Sequence, residues 1–250
     1  MKDIFNFILI GIIQGFTEFL PISSSGHIVL FGSFLNLDNL LLISIVAHIG
    51  TLLAVVFCYR KRIFNIVRHP KQDKTFLHLI IATIPSVIIV LLFNSFLEKN
   101  FSTNSLVVGF IISAILLLVA DFKKESSKSV NSKSALYMGI SQGLALLPGF
   151  SRSGTTLACG LLVGVNKEET LDFSFLMSIP IILASAVYES FKLFSSTIVI
   201  NWVEIFVVML TSFIFGLLSI KFMLKAIKKN KLYYFSIYLI ILSLILVVIY

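Results

Sequence analysis

The chain has 250 residues, of which 58% are hydrophobic and only 13% are charged, and its mean hydropathy is +1.02. Soluble domains carry about 25% charged residues, so the composition argues against a soluble enzyme, a disordered chain and a nucleic-acid-binding domain. We therefore attribute the formal net charge of +8 to basic loops that face the cytoplasm and lipid headgroups. The composition predicts a multi-pass protein of the inner (plasma) membrane.

In chain order, the sequence contains two irregular stretches and six apolar runs. A membrane-spanning helix needs about 20 predominantly apolar residues. The apolar runs cover residues 40–58, 76–97, 104–121, 171–192, 201–220 and 232–250. The irregular stretches, 4–37 and 135–165, are too long for one helix and have Pro, Gly and Ser near their middles. We predict an all-α fold of six transmembrane helices and two re-entrant helical hairpins.

Basic residues between these elements predict the orientation. Most of the 20 Lys and Arg residues lie in segments 59–75, 122–134, 166–170 and 221–231. The positive-inside rule places these segments in the cytoplasm. The stretch 135–165 then enters from the cytoplasm and returns to it, whereas 4–37 enters from outside and returns there. Both chain termini are predicted to face outward.

The two irregular stretches are related in sequence. Residues 11–26 and 139–154 are identical at seven of sixteen positions, at a constant offset of 128 and without a gap. Related segments that enter a membrane from opposite sides are typical of inverted-topology repeats. We predict a single integral membrane domain over 1–250, with inverted repeats at approximately 1–121 and 122–250.

The first stretch contains Glu18 and His27, and ionisable residues inside a membrane are functional candidates by default. Gln14 lies one turn before Glu18, on the same helix face. A carboxylate and an amide can hold a divalent cation or act as a base, and a histidine can transfer protons. The serine run 23–25 lies between Glu18 and His27 and offers a nucleophile.

The second stretch contains Arg152, between Ser151 and Ser153 and shortly before Thr156. Hydroxyl groups and backbone N–H groups at a helix N-terminus can bind an anion. A guanidinium group adds two parallel donors that suit phosphate. The two stretches together supply the parts of a phosphoryl-transfer site.

Each candidate also has a structural interpretation. Serine and threonine side chains in membranes often bond to the backbone or to a neighbouring helix. Glu18 and Arg152 can form an ion pair that only supports the fold. His48 and His78 lie alone on apolar faces and are interpreted as packing residues. Glu189 either lines the site or is solvated at a helix end.

At these residues the sequence resembles the undecaprenyl-diphosphate phosphatase family, the bacitracin-resistance type of integral membrane phosphatase. The segment from Gln14 to Glu18 is similar to its first signature, Glu or Gln, three residues, then Glu. The segment from Pro148 to Thr156 is similar to its second, Pro-Gly-x-Ser-Arg-Ser-Gly followed by Thr. Because position 14 is Gln, Glu18 is the single carboxylate of the first signature.

The resemblance implies hydrolysis of undecaprenyl diphosphate to undecaprenyl phosphate and inorganic phosphate. This reaction recycles the lipid carrier for peptidoglycan and other cell-wall polymers and confers bacitracin resistance. The resemblance also implies a divalent cation, Mg²⁺ or Ca²⁺, and an active site in the bacterial inner membrane that opens toward its outer face. Association as a homodimer is a further implication.

Carried onto this sequence, the resemblance and the spacing assign the site residues. The catalytic set is Glu18, Ser24, His27 and Arg152; the phosphate-binding set is Ser23, Ser25, Ser151, Arg152, Ser153 and Thr156; the metal ligands are Glu18 and Gln14. We predict that Ser24 is the nucleophile, because the resemblance points there and because Ser23 and Ser25 have serine partners in the repeat. Attack by His27, or by water activated by Glu18 and a metal, is the rival mechanism.

A second function class uses the same parts. Inverted repeats with broken helices are a transporter architecture, and a polyprenyl-phosphate transporter or flippase would use the same anion-binding hairpins. Transport needs Arg152 and the helix ends but has no evident use for Glu18 with His27. The sequence therefore favours hydrolysis.

Overall fold

The structure, a computed structural model, describes residues 2–35, 37, 39–99, 103–123, 126–193, 201–229 and 231–249. Within these ranges the chain forms ten α-helices and no β-strand. The helices are α1 (Lys2–Phe19), α2 (Ser24–Leu35), α3 (Leu40–Arg68), α4 (Thr75–Lys99), α5 (Thr103–Asp121), α6 (Ser132–Leu144), α7 (Arg152–Leu162), α8 (Lys167–Leu193), α9 (Trp202–Lys228) and α10 (Tyr233–Ile249).

Five of these helices are long and apolar enough to cross a membrane, namely α3, α4, α5, α8 and α9. Helix α10 is apolar but has 17 residues, fewer than a simple span needs. The all-α, multi-pass part of the prediction is therefore confirmed. The count of six spans, with two re-entrant hairpins, stays a prediction.

Helix α3 continues well beyond the apolar run that ends at residue 58. Its last turns contain Arg60, Lys61 and Arg62, which are good helix formers. The helix ends at Arg68 because Pro70, two residues later, cannot continue it. An apolar run indicates which part of a helix can lie in lipid, whereas helix-breaking residues such as Pro70 determine where the helix ends.

The segments on either side of the α6–α7 hairpin are bonded to each other. The N–H of Asn166 donates to the carbonyl oxygen of Lys128 at 2.9 Å, and the Ser126 hydroxyl donates to the carbonyl of Gly164 at 2.6 Å. Both carboxylate oxygens of Glu169 accept hydrogen bonds from residues 129–130. The segment before α6 and the segment before α8 therefore lie side by side, as expected if α6 and α7 form a hairpin.

Helix α1 packs on α9, and α6 packs on α4. Each contact uses two glycines four residues apart, which let the helix backbones approach closely. A Cβ on Gly11 would lie 1.8 Å from Thr211 Oγ1, and a Cβ on Gly139 would lie 2.2 Å from the carbonyl oxygen of Ala82. When α1–α5 are matched in order with α6–α10, these two contacts are equivalent. The division at 1–121 and 122–250 stays a prediction.

The interior beneath the two hairpins is a hydrophobic cluster drawn from many helices. Phe19 of α1, Leu157 of α7, Phe175 of α8 and Ile220 of α9 are almost completely buried in it. The outer surface is covered by exposed apolar side chains, as suits contact with lipid. The cluster fixes the ends of α1 and α7 next to each other, and these ends contain the candidate residues.

Candidate active site

The chain has two helical hairpins, α1–α2 and α6–α7, and their turns meet inside the helix bundle. The first turn runs from Leu20 to Ser23, between α1 and α2, and the second leads into α7 at Arg152. The hydroxyl of Ser153 donates a hydrogen bond to the carbonyl oxygen of Leu20 at 2.8 Å. A Cβ on Gly154 would lie 3.1 Å from Pro21 Cβ, so no larger side chain fits easily between the turns.

Glu18 is the centre of this junction and is only 5% exposed. Its Oε2 accepts hydrogen bonds from the Ser24 hydroxyl at 2.6 Å and from Gln14 Nε2 at 2.9 Å. Its Oε1 accepts a hydrogen bond from Arg152 Nη2, which forms a buried ion pair. The structure therefore brings together four of the residues that the sequence analysis selects.

His48 of α3 joins the same cluster, although the sequence analysis interprets it as a packing residue. Its Nε2 lies 3.7 Å from Glu18 Oε2, and its Nδ1 is 2.8 Å from the carbonyl oxygen of Ser44. Gly50 packs directly on the backbone of α9, which sets the rotation of α3. A histidine inside an apolar span is a general signal of function, but it does not distinguish His48 from His78; the contact with Glu18 does.

The N-termini of α2 and α7 lie at this junction and are capped in the same way. Ser23 Oγ accepts from the N–H of Gly26 at 3.4 Å, and Ser151 Oγ accepts from the N–H of Gly154 at 3.1 Å. Ser23 has a φ of 68°, a conformation that costs a non-glycine residue about 1–3 kcal/mol. Helix N-termini attract anions through their N–H groups and dipoles.

The other predicted phosphate ligands have different surroundings. Ser25 is exposed on the first turn of α2. Ser153 is buried and, besides its bond to Leu20, lies with its hydroxyl 3.3 Å from that of Ser151. Thr156 is fully buried, and its hydroxyl lies 2.6 Å from that of Ser174 on α8. Buried hydroxyls find partners within the protein, so Ser25 is the most accessible hydroxyl of this set.

His27 of α2 is also buried. Its Nδ1 is 2.8 Å from the carbonyl oxygen of Ser23, and its Nε2 is 2.6 Å from the hydroxyl of Tyr238 on α10. The two rings are stacked, with centroids 5.7 Å apart. The hydrogen-bond partners of His27 are thus Ser23 and Tyr238 rather than Glu18 or Ser24.

The residues around Glu18 fit a divalent cation that arrives with its substrate. Gln14 Oε1 is buried and has no hydrogen-bond partner among the described residues. Mg²⁺ commonly binds one or two carboxylates together with substrate phosphates. In the part of the chain that the structure describes, no group of three or more His, Cys, Asp or Glu side chains forms a complete protein cage. The predicted ligands, Glu18 and Gln14, are adjacent and would offer a carboxylate and an amide oxygen.

The chain is similar to known proteins over nearly its whole length. Residues 7–245 match the family model of the bacitracin resistance protein BacA. The chain is 37% identical to the undecaprenyl-diphosphatase of Borreliella burgdorferi (strain ZS7), over 98% of this chain and 97% of that protein. It is also 37% identical to the undecaprenyl-diphosphatase of Carboxydothermus hydrogenoformans, over 98% of this chain and 96% of the relative. The similarity covers nearly the whole chain, and the chain belongs to the bacitracin resistance protein BacA family.

Proposed function

We propose that this protein hydrolyses undecaprenyl diphosphate to undecaprenyl phosphate and inorganic phosphate, and thereby contributes to bacitracin resistance. The family and the names of the relatives support this activity. The observation that carries the proposal is the arrangement at Glu18. One oxygen of its carboxylate accepts the hydroxyl of Ser24 at 2.6 Å, and the other contacts the guanidinium of Arg152. The proposed nucleophile and the proposed phosphate-binding guanidinium thus lie within hydrogen-bond distance of the proposed base, the Glu18 carboxylate.

Binding of the diphosphate uses groups from both hairpins. Arg152 presents N–H donors beyond the one that contacts Glu18. The N-terminus of α2 begins at Ser24, and that of α7 begins at Arg152 itself. We infer that the terminal phosphate lies between these two helix ends, within reach of the exposed hydroxyl of Ser25. Ser151 caps the N-terminus of α7, and Ser153 donates a hydrogen bond to the first turn at Leu20.

In the first step, Ser24 Oγ attacks the terminal phosphorus while Glu18 Oε2 takes the hydroxyl proton. The bond between that phosphorus and the bridging oxygen breaks, and its electron pair leaves with undecaprenyl phosphate. Glu18 then returns its proton to the leaving oxygen. In the second step, Glu18 removes a proton from water, which attacks the phosphoserine. The P–Oγ bond breaks, Ser24 regains its proton, and inorganic phosphate leaves.

A divalent cation, Mg²⁺ or Ca²⁺, is part of this proposal. Glu18 and Gln14 would hold it together with oxygens of the diphosphate. This is supported by the buried Gln14 Oε1, which has no hydrogen-bond partner in the described part of the chain. When bound, such a cation neutralises charge on the phosphate. Arg152, which forms an ion pair with Glu18, supplies a further positive group at this site.

The placement of the site in the membrane is also a proposal. We infer six spans with two re-entrant hairpins arranged as inverted repeats, in the inner membrane, with the site open toward the outer face. The basic segments between the spans and the bonds that join residues 126–130 to 164–169 support this topology. A homodimer is proposed from the family resemblance alone.

The test is phosphate release from undecaprenyl diphosphate by the purified full-length protein in lipid nanodiscs. We expect release by the wild type, its loss with a chelator, and its recovery with added Mg²⁺ or Ca²⁺. Glu18→Gln, which keeps the size but not the basicity of the side chain, should be inactive. If the wild type releases no phosphate but moves a polyprenyl phosphate across a vesicle membrane, the protein is a transporter and the hydrolase proposal is wrong.

A further inference from the structure

The hydrogen bond between His27 and Tyr238 connects the first hairpin to the last helix of the chain. His27 lies on the first turns of α2, and Tyr238 lies 211 positions away on α10. Besides the 2.6 Å hydrogen bond, the two rings lie nearly parallel, at an interplanar angle of 12°. The ring of Phe110 on α5 covers the histidine, with centroids 6.1 Å apart. The imidazole is thus held by three helices.

Both ring nitrogens of His27 take part in hydrogen bonds within the protein. A carbonyl oxygen only accepts hydrogen bonds, so the short contact to Ser23 requires the proton on Nδ1. Nε2 of the neutral ring then accepts from the Tyr238 hydroxyl. Among the described residues, no carboxylate or cationic side chain pairs with His27. A buried imidazolium would therefore lack a counter-charge, and the neutral ring with Nδ1–H fits the site.

The group that His27 holds is the carbonyl of Ser23, the residue before the proposed nucleophile. Ser23 adopts a positive φ of 68°, which a serine keeps only when its surroundings impose it. Ser24 follows directly, and its hydroxyl must stay 2.6 Å from Glu18 Oε2 for the proton to transfer. A small rotation of the Ser23 peptide would move the Ser24 hydroxyl away from its base.

We propose that Tyr238, acting through His27, is a positioning residue that holds the Ser23 turn and so sets the Ser24 hydroxyl on Glu18. His27 in this arrangement orients the turn and transfers no proton. The inference rests on the proposed hydrolysis for its kinetic consequences. The hydrogen-bonded pair itself is a feature of the fold that can be measured without any activity.

The kinetic test compares three variants with one control. Tyr238→Phe keeps the ring stack and loses the hydroxyl, and kcat should fall about fivefold to tenfold at nearly constant KM, the loss expected for one neutral hydrogen bond. His27→Asn retains a donor that can reach Ser23 O but cannot titrate. It should keep much more activity than His27→Ala, with the pH profile of kcat unchanged in shape. The control is Tyr234→Phe, an exposed tyrosine on the same helix, which should match the wild type.

Equal losses in His27→Asn and His27→Ala, with one limb of the pH profile missing in both, would show that His27 transfers a proton and would overturn the proposal. Full activity of Tyr238→Phe would likewise remove Tyr238 from the positioning role.

The pair is tested independently by nitrogen NMR of the wild type labelled at histidine, with His27→Asn to assign the resonances. We expect a neutral ring protonated on Nδ1 from about pH 6 to 8, a range centred near the ordinary histidine pKa. An imidazolium in this range, or a proton on Nε2 of the neutral ring, would contradict the proposal. This measurement needs neither catalysis nor a folded Tyr238→Phe variant. A wild type that shows the expected spectrum but releases no phosphate would refute the hydrolase alone.

Discussion

Arg152 of α7 contacts Glu18 of α1 through a buried ion pair that joins the two hairpin turns. Removing one partner of such a pair leaves an uncompensated charge in a largely buried site. The pair therefore has two effects, which are measured in different ways: one on stability and one on activity. It joins the two hairpin turns, and it holds a guanidinium where the terminal phosphate is proposed to lie. A substitution that keeps the positive charge can distinguish between these two effects.

We expect Arg152→Lys to lose most of the activity while the protein remains folded. Lysine keeps the positive charge next to Glu18 but cannot offer two parallel donors to a phosphate. The loss of one charge-assisted contact in the transition state corresponds to about 3 kcal/mol, or on the order of a hundredfold in kcat/KM. Arg62→Lys is the control, because Arg62 pairs with Asp172 in a partly exposed contact at 3.3 Å. Near-normal turnover of Arg152→Lys would show that Arg152 contributes charge only.

Ser24→Ala should reduce phosphate release by a hundredfold or more, on the order of the loss reported for other catalytic groups, because the proposed nucleophile is removed. Rapid quenching of the wild type should trap a phosphoserine at position 24. Ser33→Ala, on the exposed side of the same helix, should behave as the wild type. A Ser24→Ala protein with substantial turnover, alongside inactive Glu18→Gln, would instead support attack by water.

Thr156 and Ser174 should be coupled in stability. Their hydroxyls are 2.6 Å apart, both residues are buried, and they join α7 to α8. Thr156→Val leaves the Ser174 hydroxyl without this partner, which costs about 1–3 kcal/mol in the free energy of unfolding. The double-mutant cycle with Ser174→Ala, measured by thermal unfolding in detergent, should show a clear interaction energy. Additive effects, combined with a raised KM for Thr156→Val, would support the predicted phosphate-binding role.

Gly149→Ala should destabilise the protein much more than Gly164→Ala. Both glycines have positive φ, 80° and 87°, so alanine costs each of them about 1–2 kcal/mol. A Cβ on Gly149 would also lie 2.2 Å from the carbonyl oxygen of Leu106, whereas a Cβ on Gly164 would have no described residue within 4 Å apart from its chain neighbours. Melting temperatures of the two variants isolate the effect of this close contact. Equal melting temperatures would show that α5 can move away from the turn.

The topology is tested by cysteine accessibility in whole cells. Single cysteines are placed at Lys128 and Lys228 after Cys58 and Cys159 are replaced by alanine. We expect both positions to react only with a membrane-permeant reagent, because their basic segments are proposed to face the cytoplasm. A cysteine at exposed Trp202 should react with an impermeant reagent. Labelling of 128 and 228 from opposite sides would contradict the hairpin topology.

Hydropathy was sufficient to predict the helical class, because apolar runs long enough to span a membrane are visible in a sequence. The cost of burying charge marked Glu18 and Arg152 as candidates, and the family resemblance added Ser24. The structure places these three residues in contact. The contact of His48 with Glu18 was not predicted, because it depends on how α3 is rotated against α9. The partner of Thr156 was not predicted either, because a hydroxyl in an apolar environment bonds to whichever helix lies beside it.

Helix boundaries were predicted less well than the spans. The apolar run of α3 stops at residue 58, yet the helix continues to Arg68 until Pro70 follows. The partner of His27 was also beyond prediction. Tyr238 comes from a helix 211 positions later, and its approach is set by tertiary packing rather than by local pattern.

When the two hairpins are aligned at the offset of 128, Ser24 aligns with Arg152, and Glu18 aligns with Leu146. A second reaction centre at the symmetry-related place would therefore have a leucine where the base should be and an arginine where the nucleophile should be. Under the proposed mechanism the two similar hairpins have different roles: the first supplies the reacting groups, and the second supplies the arginine that binds phosphate. Neither half, expressed alone, would contain a complete centre, and activity would return only when the two are produced together and assemble in the same bilayer.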